Sequence, residues 1–215
     1  MNNEKETEKL RDSRRTKRKL YDAVGDILKA EGFSGLGPNN IARYADVHKK
    51  LIYRYFVGPQ ELIESYILEK DYWTRSYKQI PEIVAANRHD FGRNLAGNML
   101  AENLEYFSDS PELQNIILWE INGRSQMMNK IARFRESIKA ELFELTDPHF
   151  EGSSVNFRAV EALLISGINY LVLHSKNSGS NFCDLDIKKE SDRREVVKAI
   201  KQLVGWAFDA ADKKG

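Results

Sequence analysis

The densest run of groups able to hold a polyanion is His48-Lys49-Lys50-Leu51-Ile52-Tyr53-Arg54-Tyr55-Phe56. At helical spacing Ile52 and Phe56 share one face, and Lys49, Lys50, Tyr53 and Arg54 point away from it. Ammonium and guanidinium groups neutralise phosphates, and an arginine can grip guanine through two parallel hydrogen bonds. A second run, Arg14, Arg15, Lys17, Arg18 and Lys19, packs five cations into six positions. Residues 1–60 carry 13 Lys and Arg against 8 Asp and Glu, and the rest carries 20 against 24. A net charge of +1 thus hides a basic N-terminal part. A bias at one end points to a polyanionic partner, although a solvated helix start would have the same composition.

Nothing comparable points to catalysis. His48, His89, His149 and His174 are scattered, with no pair at metal-ligand spacing. Cys183 stands alone in a polar stretch. Gly32-Phe33-Ser34-Gly35-Leu36-Gly37 is glycine-rich but follows a helical pattern, whereas a nucleotide loop follows a strand. The expectation is a protein that is not an enzyme and needs no metal and no cofactor.

Composition sets the class. The chain has 215 residues, 41% hydrophobic and 30% charged, with a mean hydropathy of −0.55. Disorder, collagen and a disulfide scaffold all fit poorly. No run approaches the roughly 18 consecutive apolar residues of a spanning helix. The charged start, MNNEKETEKLRDSRRTKRK, has no apolar segment of the secretory kind. One cysteine cannot bridge within the chain. The expected location is the cytoplasm, with no membrane partner.

The elements that must position the basic residues all read as helices. Leu20, Val24, Ile27 and Leu28 mark a first helix, and Gly32 suits the left-handed position after its end. Pro38 fits the first turn of a second helix running to about Ala45. A short gap, Asp46-Val47-His48, precedes a third helix from about Lys49 to Phe56. Gly58-Pro59 starts a fourth, expected to end before Pro81. Five more are expected over about 88–107, 111–121, 124–145, 155–175 and 192–212, with Asp147-Pro148 in a loop. The fold class is therefore all-α with about nine helices.

Two short helices joined by a tight turn, the second one basic, have the arrangement of a helix-turn-helix. The stretch from Gly32-Phe33 to Leu62 resembles the DNA-binding domain of TetR-family transcriptional regulators. Gly32-Phe33, Gly35, Ile41-Ala42, Ala45, Val47, Lys49, Ile52-Tyr53, Phe56 and Glu61-Leu62 carry the likeness. The resemblance implies an N-terminal basic arm and DNA-binding domain over 1–58, and a larger effector-binding and dimerisation domain over 59–215. It implies DNA contacts by Lys49, Tyr53 and Tyr55, with Lys50 and Arg54 reaching bases and Asn39 contributing from the second helix. Arg14 and Arg15, ahead of the first helix, would reach the backbone or minor groove. Four positions depart from the pattern: Leu36-Gly37-Pro38 replaces a Thr/Ser cap region, Asp46 a glycine, His48 a capping serine, and Pro59 a Lys or Arg.

The helix at 155–175 is apolar nearly all round, so two faces need partners. A symmetric copy is the expected second partner, through Leu163, Ser166, Gly167 and Tyr170 with Ile200, Leu203, Val204 and Phe208 of the last helix. Trp73, Tyr77, Leu95, Asn98, Met99, Trp119, Met127 and Phe157 are candidate linings of an effector pocket, with Asn94, Asn122 and Arg124 as further polar candidates. Methionine and aromatic groups suit an apolar or flat ligand. The expected function is a repressor released from a palindromic operator by a small apolar or aromatic ligand. The alternative is a helical ligand- or protein-binding dimer that has lost sequence-specific DNA binding.

Overall fold

The computed structural model describes residues 2–75, 77–123, 125–179 and 181–213, and Arg124 lies outside them. All the regular structure described is helical. It comprises α1 (Asn2–Ala30), α2 (Pro38–Tyr44), α3 (Lys50–Tyr55), α4 (Pro59–Lys70), α5 (Tyr72–Arg75), α6 (Ile80–Ala86), α7 (Arg93–Ser108), α8 (Pro111–Asn122), α9 (Gln126–Phe150), α10 (Phe157–Ser178) and α11 (Glu190–Asp212). Short 3-10 turns stand at Phe33–Gly35, Tyr77–Gln79 and Arg88–Asp90.

Among the described residues eleven α-helices replace the expected nine, because the long fourth helix is divided into α4 and α5 and because α6 stands where that helix was expected to have ended. α4 itself ends at Asp71, which is buried and adopts an extended ψ of 131°. Pro81 lies in the first turn of α6, where a missing N–H costs nothing, so it starts a helix instead of stopping one. Pro148, expected in a loop, falls in the last turn of α9. So near the helix end it removes one hydrogen bond and disturbs little beyond it. Phe91, expected on the apolar face of a helix over 88–107, is exposed with φ 52°. Asp90 caps the true start of α7 there, accepting from the amides of Gly92 and Asn94 at 3.0 and 3.2 Å.

The chain forms two compact units, Met1–Asp71 with Pro111–Ile131, and Tyr72–Ser110 with Ala132–Gly215. In the first, Leu20, Val24, Ile27 and Leu28 of α1 meet Ile41 of α2, Ile52 of α3, Leu62 and Ile67 of α4, and Ile116 of α8, all fully buried. Apolar burial of this kind yields about 25 cal/mol per Å² and is the main force holding the short helices. Polar ties fix α8 to α1: Asn115 Nδ2 donates to the Leu28 carbonyl at 2.6 Å, and Lys29 pairs with Glu112 at 3.0 Å. The rings of Phe33 and Trp119 stack face to face, 7° from parallel.

In the second unit α7 packs against both α11 and α10, which also touch each other. Phe150, Phe157 and Phe208 form its aromatic centre, the first two stacked at 4.6 Å. Asn156 caps α10, its side chain accepting from the Ala159 amide at 3.0 Å. By length and composition α10 could cross a bilayer, although no unbroken apolar run marks it as such.

Candidate nucleic-acid interface and ligand cavity

α3 is only six residues long and could not hold itself together in water. Its anchor is Ile52, fully buried in the core where α3 packs on α1 and α4. With that side chain fixed inward, Lys49, Lys50, Tyr53 and Arg54 are all exposed, Tyr53 by 54%. His48 closes the N-terminus, its Nδ1 accepting from the Lys50 amide at 3.1 Å. The histidine therefore does the capping that a serine would do. The preceding turn passes through Asp46 at φ 50°, a left-handed position that aspartate tolerates better than most residues.

Tyr55 behaves differently from Tyr53. It is half-buried against the core of the unit, with Lys17 and Arg54 6.0 and 5.7 Å from its ring centroid. Each cation is attracted to the ring's π face. Asn39 is exposed on α2, whereas the neighbouring Asn40 is turned inward, donating to Glu31 and to the Gly35 carbonyl, each at 2.9 Å. Glu31 also accepts from the Tyr44 hydroxyl at 2.8 Å, which raises the Tyr44 phenol above its ordinary value. These bonds lock α2 onto the end of α1.

Arg14 and Arg15 are exposed, but they do not precede the first helix. α1 begins at Asn2, so both lie within it. The segment contains neither glycine nor proline and is rich in Glu, Lys and Arg, all good helix formers. The expected arm is thus a helical extension.

The second unit holds a small cavity of about 20 Å³. Trp73, Leu95 and Met99 line it together with Leu142, Phe143 and Glu161. The other candidates lie elsewhere. Tyr77 packs edge-on against Phe134, Asn98 and Asn94 are exposed, and Phe157 belongs to the aromatic centre. Trp119 and Met127 pack against the core of the first unit, and Asn122 is exposed there. Glu161 was not foreseen, although a single carboxylate between Val160 and Ala162-Leu163-Leu164-Ile165 is itself a signal. Burial raises its carboxyl from 4.5 to about 7, opposed by Lys139.

The remaining candidates divide by helix. Leu163, Ser166, Gly167 and Tyr170 of α10 are all exposed, Leu163 by 75%. On α11, Leu203 is exposed, while Ile200, Val204 and Phe208 are buried within the chain's own core. Trp206, which the sequence did not single out, is 57% exposed on the same helix.

No family model matches the chain, and no curated protein sequence matches it. Among solved structures it is similar to a transcriptional regulator, FadR from Bacillus subtilis, in complex with stearoyl-CoA. The two share 11% identity with a TM-score of 0.59, over 87% of this chain and 96% of that one. At that identity the likeness is one of fold.

Proposed function

We propose that the chain is a TetR-family transcriptional regulator. It acts as a homodimer on a palindromic operator in double-stranded DNA, and a small apolar or aromatic ligand releases it. The observation that carries this reading is the exposed set Lys49, Lys50, Tyr53 and Arg54 at the start and along the face of a short helix anchored by buried Ile52. A helix of that kind, entered through a tight turn and capped by His48, suits insertion into the major groove with its first turn forward. Arg14, Arg15, Asn39 and Tyr55 add phosphate contacts around it. Residues 1–58 serve the operator, and residues 59–215 serve ligand binding and dimerisation.

The exposed apolar groups of α10 and α11 support the dimer. Leu163, Tyr170, Leu203 and Trp206 are 75%, 53%, 42% and 57% exposed, and a second copy of the chain covers them. A twofold contact makes one surface self-complementary and presents two recognition helices to half-sites about 34–36 Å apart. A ligand is supported by the similarly folded regulator, which was solved with stearoyl-CoA, and the small apolar cavity beside Trp73 and Met99 marks a place that a ligand would have to enlarge. Ligand binding favours a conformation in which α4 shifts about Gly58-Pro59 and the recognition helices separate. It moves that equilibrium only by its differential affinity for the two states. Loss of operator binding is then relief of repression.

The test is selection of genomic fragments by the purified protein at physiological salt, followed by footprinting. One short palindrome should be enriched, and Lys49→Ala/Arg54→Ala protein should lose it. Weak binding blind to sequence would reject the operator and leave a ligand- or protein-binding dimer.

A further inference from the structure

Val57 is 90% exposed, more than any other large apolar side chain among the described residues. It stands between α3 and α4, one residue past the C-cap Phe56, whose ψ of 155° turns the chain out of the helix. The backbone that displays it is held in place. The Val57 amide donates to Oε2 of Glu61, the Phe56 amide donates to the Ile52 carbonyl at 2.9 Å, and Gly58 leads into α4 in an extended conformation. The exposed ring of Tyr53 leans over the same stretch of chain, its Cε1 3.8 Å from the place where a β-carbon on Gly58 would stand. Tyr53 and Val57 thus make a small apolar ledge on a face whose other exposed groups include Lys49, Lys50 and Arg54. The one carboxylate beside it, that of Glu61, is engaged by the Val57 amide.

Isolated exposed valines are ordinary. This one lies among cations and next to an exposed ring, and the two properties together narrow the partner. The cations call for a polyanion, and the ledge calls for an apolar group carried on it. In the major groove of duplex DNA that group is the C5 methyl of thymine. We propose that Val57, with Tyr53 beside it, is a specificity-determining residue that packs on a thymine methyl group in each operator half-site. The inference rests on reading α3 as the recognition helix. Six residues make α3 about 9 Å long, close to three base-pair steps, so Lys49 and Lys50 before it and Val57 beyond it address different base pairs. Because the backbone at Val57 is already fixed, burying the side chain there adds little ordering cost.

Deoxyuridine lacks the methyl and keeps every hydrogen-bonding group of thymidine, so it isolates the contact. In the palindrome selected by the protein, each thymine of one half-site is replaced in turn by deoxyuridine, and binding of the full-length chain is followed by fluorescence anisotropy. At one position the parent should lose about fourfold in affinity, the worth of one buried methyl group. Val57→Ala should bind the unmodified operator several-fold more weakly and should no longer distinguish thymine from uracil at that position. Circular dichroism checks that the variant stays folded, as expected for so exposed a side chain. Indifference to deoxyuridine at every position would overturn the proposal, and so would a penalty that survives Val57→Ala. A Val57→Ala protein that binds every duplex as the parent does would also overturn it and leave the side chain to a protein partner. Failure to select any palindrome would remove the operator and this inference together, whereas a palindrome bound without a Val57-dependent methyl contact would remove this inference alone.

Discussion

The phenol of Tyr66 on α4 occupies the place where a β-carbon would stand on Gly25 of α1, its Cζ only 3.0 Å from that point. Glycine is what lets the two helices come so close. Tyr66 is buried there and also meets the ring of Tyr21 at 5.5 Å. The contact fixes α4 on the helix that carries Arg14 and Arg15.

Gly25→Ala should therefore destabilise the first unit although it improves helix propensity. The added methyl forces Tyr66 aside, at a cost of about 1–3 kcal/mol for overpacking. The gain in propensity is roughly 1 kcal/mol at most. Urea denaturation measures the difference. Tyr66→Phe in the same protein should recover part of the loss, judged against Tyr66→Phe alone. An alanine variant as stable as the parent would show that the packing yields freely.

On the proposed DNA face, Lys49→Ala and Arg54→Ala should fail in different ways. Removing a phosphate contact lowers affinity for all sequences and reduces the salt slope by about one. Removing a base-reading arginine costs about 1–3 kcal/mol on the cognate site and relaxes preference at one base pair. Titrations of cognate and scrambled duplexes at several salt concentrations distinguish the two. Identical behaviour of both variants would put both residues on phosphates.

Glu161 makes stability depend on pH. Burial lifts its carboxyl from 4.5 to about 7. Between those values the folded protein binds more protons at this group than the unfolded chain does, so stability falls as pH rises. The neutral form is accommodated fully below about pH 4.5, and the loss is complete above about pH 7. Glu161→Gln cannot ionise, so it should gain on the parent across this interval, on the order of 2 kcal/mol by pH 8. Denaturation curves at pH 5 and pH 8 check the sign. A constant gap between the two proteins would mean that Glu161 is well solvated.

Two leucine-like positions on the C-terminal helices should separate assembly from folding. Leu163 is 75% exposed, so Leu163→Arg should convert the proposed dimer to a monomer that keeps its helix content. Ile200 is 4% exposed, so Ile200→Arg should unfold the second unit by burying an unpaired charge. Sedimentation and circular dichroism report the two outcomes. A Leu163→Arg protein that stays dimeric would move the interface elsewhere.

The parts legible in the sequence are those where apolar period and punctuation agree. α2 and α3, expected at 38–45 and 49–56, run Pro38–Tyr44 and Lys50–Tyr55 because Pro38 and Gly58-Pro59 bracket them. The break at Asp71 was illegible because neither glycine nor proline marks it and apolar residues continue past it. Arg14 and Arg15 read as an arm because no apolar stripe announces a helix before Leu20; charge and propensity alone extend α1 back to Asn2. Of the aromatic and methionine candidates, Trp73 and Met99 share the cavity, while Trp119 belongs to another core. Periodicity shows that such residues are buried, but tertiary packing decides in which unit. Ile200, Val204 and Phe208 share a stripe with Leu203 in the sequence, yet they turn inward and Leu203 does not.

α3 leans on the fold through very little of itself. Ile52 is the one residue of the helix that is buried outright, and Lys49, Lys50, Tyr53 and Arg54 are open to solvent. Exchanges at solvent-facing positions away from caps and cores usually change stability by less than about 0.5 kcal/mol. The proposed recognition surface can therefore drift under selection while the scaffold stays folded. On that reading, a duplicated copy of such a gene could acquire a new address on the chromosome through a few surface substitutions and keep its hydrophobic interior unchanged.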